Sequence, residues 1–264
     1  MIEITDLVKT FHRGSVNEVL ALSGINLNVR KGDFITIIGS NGAGKSTLLN
    51  CLAGSIAIDS GQLRIDEQDV TRWSEHQRAT LISRVFQDPL LGTCGSLSIE
   101  QNLALANRRG KSHGLGRGVK RSDRELFSKQ LSQLKLGLEK RLKDKVGLLS
   151  GGQRQALTLL MATLIKPKIL LLDEHTAALD PKTAQQVLEL TRQLISEQHL
   201  TALMVTHNMR QALQLGNRLI MLHGGRVILD LAGKDKEQMT VDKLLEQFYK
   251  VRGEEFVSDR MLLV

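Results

Sequence analysis

Gly39-Ser40-Asn41-Gly42-Ala43-Gly44-Lys45-Ser46-Thr47 fits the pattern G-x-x-x-x-G-K-[ST] at Gly39, Gly44, Lys45 and Ser46, a spacing that binds phosphate. Glycines let the backbone curl so that successive N–H groups point inward at phosphate oxygens. Lys45 brings a charge that reaches the outer phosphates, and the Ser46 hydroxyl is a hard oxygen ligand suited to Mg²⁺. The flanks agree. Phe34-Ile35-Thr36-Ile37-Ile38 is a short apolar, β-branched run and predicts a buried strand. Ser46 to Ala53 predicts a helix closed by Gly54, which sets the loop at a helix N-terminus, where free amides and the dipole favour an anion. The loop therefore predicts a bound nucleoside triphosphate.

Working outward, residues 2 to 38 read as strands. Phe11 is the only aromatic side chain before Phe34; it either stacks on an adenine ring or fills a gap in the core. Gly61 to Asp66 reads as a hairpin strand, and Leu81 to Phe86 as a strand ending at Gln87. Ser98 caps a following helix, with Gln101 in the third position behind it. Asp123 to Leu138 has helical periodicity through Leu126, Phe127, Leu131, Leu134 and Leu138. Leu149-Ser150-Gly151-Gly152-Gln153 precedes a helix that Pro167 terminates. Ile169 to Leu172 is an uninterrupted apolar strand closed by Asp173-Glu174; Pro181 starts a long helix to about Glu197. Thr201 to Val205 is a strand ending at Thr206-His207, and Arg218 to Asp230 reads as a hairpin across Gly224-Gly225. Val241 to Val251 forms an amphipathic helix in the tail. Four strands thus deliver the phosphate loop, Gln87, Asp173-Glu174 and His207 at their C-terminal ends, the edge where open parallel sheets bind ligands.

In that order these motifs resemble the ATP-binding subunit of an ABC transporter, from about residue 2 to residue 230. Leu149-Ser150-Gly151-Gly152-Gln153 is the discriminating signature, joined by the Walker B strand Ile169 to Asp173, by Glu174, by Ala178-Leu179-Asp180, and by Gln87 and His207. The resemblance implies a single α/β domain, a P-loop NTPase (RecA-like) core with an N-terminal antiparallel β subdomain and an inserted α-helical subdomain. The core covers about 1–90 and 166–235, the helical subdomain about 91–165, and a tail 236–264. It implies ATP and Mg²⁺ as cofactors. Asp173, with Ser46 and Gln87, would face the Mg²⁺; Glu174 would be the general base for the attacking water; His207 would hydrogen-bond the γ-phosphate. Phe11 matches the adenine-stacking position. Ser150, Gly151, Gly152 and Gln153, with Asp180, would cover the nucleotide held by a second copy of the chain in a head-to-tail homodimer. Between Gln87 and Ser150 the helical part would receive a membrane permease, with Phe86, Gln87 and Asp88-Pro89 lining the groove.

Two positions depart from the resemblance. His175 stands where proline is usual and Ala177 where serine is usual. The missing proline is expected to loosen the turn, and His175 either titrates near neutral pH or sits neutral and hydrogen-bonded. The 173–180 variant, the basic insertion and the ending Asp259-Arg260-Met261-Leu262-Leu263 resemble a bacterial subgroup working with a permease and a periplasmic substrate-binding protein, some of whose members import aromatic amino acids. An importer of small solutes is therefore expected, with an exporter or lipid-extracting ATPase as the alternative. A soluble ATPase acting on ribosomes or nucleic acid is disfavoured: the chain has one cassette and only a short insertion.

Composition agrees. At 264 residues with 41% hydrophobic and 24% charged residues, the chain supports one large domain. No apolar run approaches the roughly 20 residues that span a bilayer, and the start Met1-Ile2-Glu3-Ile4 is no signal peptide. Cys51 and Cys94 lack disulfide or metal spacing. A reducing cytosol is expected, with the chain peripheral to the cytoplasmic face of the inner membrane. The net charge of +8 is partly local, since Arg108, Arg109, Lys111, Arg117, Lys120, Arg121 and Arg124 share residues 107–124 with Gly110, Gly114, Gly116 and Gly118. With no aromatic group to stack bases, this segment predicts no nucleic-acid site. It reads as a surface insertion or as a contact for anionic lipid or an acidic partner.

Overall fold

The computed structural model describes residues 2–111 and 118–252, the last two by backbone alone. Gly114, Gly116 and Arg117 of the basic segment, and the ending Asp259 to Leu263, lie outside the described residues. The chain forms two compact units, one built from residues up to Arg78 and from Thr201 onward, the other from Ala79 to Leu200. In chain order the first unit opens with β1 (Ile2–Phe11), β2 (Val19–Val29), β3 (Phe34–Gly39), α1 (Lys45–Ala53), β4 (Ser60–Ile65), β5 (Gln68–Asp69) and α2 (Glu75–Arg78). The second holds β6 (Ile82–Val85), α3 (Ile99–Ala106), α4 (Arg121–Ser132), α5 (Gly151–Leu164), β7 (Ile169–Asp173) and α6 (Pro181–Gln198). The chain then returns to the first unit with β8 (Thr201–Val205), α7 (Met209–Gln214), β9 (Arg218–His223), β10 (Arg226–Ala232), α8 (Lys234–Glu237) and α9 (Val241–Arg252).

The first unit carries an antiparallel sheet in the order β2-β1-β4-β5. In β2 the alternation turns Ile25, Leu27 and Val29 inward and leaves the residues between them exposed. The β4–β5 hairpin closes over Asp66 and Glu67, both at positive φ, as a tight primed turn requires. Beside it runs a mostly parallel arrangement. β3 pairs in parallel with β8 on one edge and β9 on the other, and β10 returns antiparallel to β9. Every residue of β3 is buried; a strand covered on both faces needs an unbroken apolar run, which is why Phe34 to Ile38 lacks alternation. Its one hydroxyl is satisfied, since Thr36 Oγ1 donates to the Ala212 carbonyl at 2.8 Å. The amphipathic α9 buries Leu244 and Phe248 against Met209, Ala212 and Met221.

The second unit pairs β6 with β7 in parallel and inserts its helices between these two strands. Their core gathers Ile99, Leu103, Phe127, Leu131, Leu138 and Leu160. Ser98 opens α3 as expected: its Oγ accepts the Gln101 amide and the Gln101 side chain accepts the Ser98 amide at 2.8 Å. One expectation is corrected. The helix predicted over Asp123 to Leu138 stops at Ser132, because Lys135 (φ +54°) and Gly137 (φ +70°) adopt left-handed backbone, and Leu138 starts a separate 3-10 turn. The spacing misled because Leu134 and Leu138 still reach the same core, while Leu126 stays exposed. The molecule is thus mixed α/β, with an antiparallel sheet, a mostly parallel sheet and an inserted helical part.

Candidate nucleotide site

The phosphate loop joins β3 to α1. Gly44, at φ +96°, has no room for a side chain: a Cβ would lie 2.5 Å from the Ala21 carbonyl oxygen. The loop is braced from the other side by the β9–β10 turn, where the Gly225 amide donates to the Ala43 carbonyl at 3.3 Å. Lys45 is buried, and its Nζ donates to the carbonyls of Gly39 at 2.9 Å and Ser40 at 3.0 Å. The ammonium is therefore held within the loop. Asn41 and Gly42 are exposed, Ala43 is buried, Ser46 in the first turn of α1 is exposed and Thr47 is half-buried.

His207 lies at the same sheet edge. β3 and β8 run parallel with Ile37 opposite Val205, so Gly39 and His207 each stand two residues beyond a matched pair. The Thr206 amide donates to the Ile37 carbonyl at 3.1 Å, and the Asn208 amide to Thr206 Oγ1 at 3.1 Å. Asn208 then caps α7 through the Gln211 amide. His207 itself is exposed. Phe11 ends β1 opposite Val19 with its ring partly exposed, 5.6 Å from Lys9 Nζ; it does not fill the core.

The second unit repeats the arrangement. β6 and β7 run parallel with Val85 opposite Leu172, so Gln87 and Glu174 each lie two residues past that pair. Asp173 is the last residue of β7 and buried; Gln87 is exposed and Glu174 half-buried. Glu174 takes φ +43°, the strained turn in which carbonyl 174 accepts the Ala177 amide at 2.9 Å. One feature was not anticipated from sequence: Arg84 Nη2 donates to Asp173 Oδ2 at 2.7 Å. The visible signal was a lone charge inside the strand run Ile82-Ser83-Arg84-Val85-Phe86.

His175 is fully buried, and its Nε2 lies 3.0 Å from Thr191 Oγ1 on α6. Burial pushes its pKa down to about 4, so the ring is neutral at cellular pH. Of the two readings of His175 the neutral, hydrogen-bonded one holds, and its bond ties the turn to α6.

Ser150 to Gln153 form the N-terminus of α5, beside the start of α6. Ser150 Oγ accepts the Gln153 amide at 3.3 Å; a hydroxyl that accepts one bond still has its own O–H to donate. Gly152 makes the close approach possible, since a Cβ there would fall 2.1 Å from Thr183 Cγ2. The exposed Asp180 caps α6 by accepting the Thr183 amide at 3.1 Å; the Thr183 hydroxyl first, and then that amide, lower its pKa.

For a metal, the donor chemistry fits Mg²⁺. The Asp173 carboxylate of the second unit and the Ser46 hydroxyl of the first are each, taken singly, the hard oxygen type that Mg²⁺ takes, and the ion usually completes its octahedron with phosphate oxygens and water. Among the described residues, no group of three or more His, Cys, Asp or Glu side chains gathers that could hold a metal alone.

Comparison with known proteins adds the decisive observation. The profile of the family described as "ABC transporter" matches residues 22–177, more than half of the chain. The chain belongs to the ABC transporter family. The tyrosine transport ATP-binding protein of Clostridioides difficile is 47% identical over 248 residues, covering 94% of this chain and 98% of that protein. The methionine import ATP-binding protein MetN of Rhizobium johnstonii is 33% identical over 231 residues, but this cassette spans only 60% of that longer relative. An ATP-binding cassette solved as a dimer in a post-hydrolysis state with ADP and inorganic phosphate is 29% identical, with a TM-score of 0.75 over 88% of this chain and 98% of that one. This ABC cassette is the ATP-binding, ATP-hydrolysing subunit of a transporter. No helix among its described residues is long and apolar enough to cross a membrane.

Proposed function

We propose that this cassette powers a bacterial importer of amino acids, aromatic ones in particular, as a head-to-tail homodimer bound to permease subunits at the cytoplasmic face of the membrane and served by a substrate-binding protein. The observation that carries the substrate class is the 47% identity, over nearly the full length of both chains, to a tyrosine transport subunit.

In this reading the phosphate-loop amides and Lys45 hold the outer phosphates, and Phe11 stacks on the adenine. Asp173, Ser46 and Gln87 would hold Mg²⁺, which when bound supplies charge neutralisation for the phosphoryl group being transferred. Glu174 takes the proton of the attacking water and His207 donates to the γ-phosphate. Ser150, Gly151, Gly152, Gln153 and Asp180 serve the nucleotide of the second copy. Support comes from the paired strand ends: the β3–β8 register sets His207 level with the phosphate loop, and the β6–β7 register sets Gln87 level with Glu174.

The test is reconstitution of the cassette with its permease and binding protein in vesicles. Tyrosine uptake is expected with ATP, and Glu174→Gln is expected to lose at least about 100-fold in turnover, the usual scale for removing a general base. Uptake of no aromatic amino acid would overturn the substrate class, and wild-type hydrolysis by Glu174→Gln would overturn the base.

A further inference from the structure

The ion pair between Arg84 and Asp173 goes beyond these roles. Arg84 lies on β6 opposite Leu171 of the parallel β7, so Asp173 is its diagonal neighbour on the same face. The side chains are only 12% and 13% exposed, and Nη2 meets Oδ2 at 2.7 Å. The guanidinium also lies over the Phe86 ring, 4.6 Å from its centroid. That ring belongs to the residue before Gln87, and the Phe86 carbonyl accepts from Gln155 Nε2 of α5 at 3.2 Å. A strand that needed only filling would carry an apolar side chain here, because drawing two charges out of water is costly and a packed apolar substitute is often no less stable. The charge is therefore a functional feature to be explained.

We propose that Arg84 is a positioning residue and internal counter-cation for Asp173, one that weakens the carboxylate's hold on a divalent cation until the phosphates of ATP supply further oxygen ligands. The inference rests on Asp173 being the metal carboxylate. A guanidinium hydrogen-bonded to one carboxylate oxygen fixes the direction of the other. It also offsets the negative charge that attracts the metal. The positive charge beside the carboxylate opposes the approach of Mg²⁺ through the same field that attracts Asp173. The cassette would thus discriminate against metal without triphosphate. The Phe86 face offers the guanidinium a cation–π contact when the metal takes its share of Asp173.

The experiment measures binding of Mn²⁺ alone to the nucleotide-free cassette, with binding of a non-hydrolysable ATP analogue in EDTA as the control. Arg84→Met and Arg84→Gln should tighten nucleotide-free Mn²⁺ binding on the order of tenfold, with the analogue Kd in EDTA unchanged. Arg84→Lys, which keeps a cation, should match the wild type, and Asp173→Asn should abolish the gain when combined with Arg84→Gln. Mn²⁺ binding at or below wild type in both neutral variants would overturn the role of Arg84. A gain that survives Asp173→Asn would overturn the metal role of Asp173 and the proposal with it. Should Arg84→Met not bind the analogue in EDTA, Arg84→Gln and Arg84→Lys make the same comparison.

Discussion

His175 shows what one side chain does in place of a proline. Thr191 Oγ1 donates its proton to the Val187 carbonyl at 2.7 Å, so its oxygen is left to accept, and His175 Nε2 is the donor. Nδ1 is then a bare acceptor, buried and without a hydrogen-bond partner, an arrangement that disfavours the imidazolium as burial does. The turn carrying Glu174 is therefore pinned to α6 by a neutral hydrogen bond. Thr191→Val removes the acceptor and leaves a buried N–H unsatisfied, which should cost about 1–3 kcal/mol in urea unfolding. Thr191→Ser should keep most of that stability, and equal losses in both variants would rule out the hydrogen bond as the cause. From sequence, the roles proposed for Asp173, Glu174 and Asp180 rest on residue type and spacing alone. The partner of His175, sixteen residues away on a helix, was not legible: side-chain pairing across a packed interface leaves no local pattern.

Among the elements, both ends of α5 were readable, since Pro167 marks its finish, but what secures that finish was not. Ser150 and Gln153 announce its start, and they form the reciprocal cap the motif predicts. Its finish is secured by a residue that composition had assigned to a surface insertion. Arg109 is half-buried and donates from Nη1 to the Ala162 carbonyl at 3.3 Å and from Nη2 to the Ile165 carbonyl, with Ser83 Oγ of β6 against the same guanidinium. A helix leaves its last carbonyls without intrahelical partners, and here an arginine from the basic run supplies them. Arg124 is engaged as well, paired with Glu100 at 2.7 Å, whereas the Arg108 side chain makes an exposed bond to the Gly118 carbonyl. Counting charges cannot separate a guanidinium in water from one inside a fold. Arg109→Ala should lower stability by about 1–3 kcal/mol by leaving buried carbonyls unpaired. Arg121→Ala, at a side chain of the same run that is 94% exposed, should stay within about 0.5 kcal/mol of wild type. Thermal unfolding of the two variants checks the contrast, and similar melting temperatures would refute it.

For the whole molecule, the strands and the order of motifs were legible because hydrophobic period and glycine-rich turns are local signals. The division into units was not, since it depends on which strands meet across long stretches of chain. The first unit carries the phosphate loop and His207, and the second carries Gln87, Asp173, Glu174 and the α5 N-terminus. If the signature of one copy covers the nucleotide of another, ATP must hold two chains together until it is cleaved. Glu174→Gln should then sediment at twice the monomer mass with saturating ATP and as a monomer with ADP; a monomer in both would dismiss the pairing. The interrupted first unit also has a consequence for how the protein is made. β3 is synthesised early, yet both its neighbours, β8 and β9, leave the ribosome only after the second unit is complete. Closing that parallel ladder must wait for distant chain, while the second unit, one continuous stretch, can form first. A chain released before residue 201 carries Asp173 and Glu174 but has no seated ATP-binding strand. A product truncated before residue 201 is therefore expected to be silent as an ATPase.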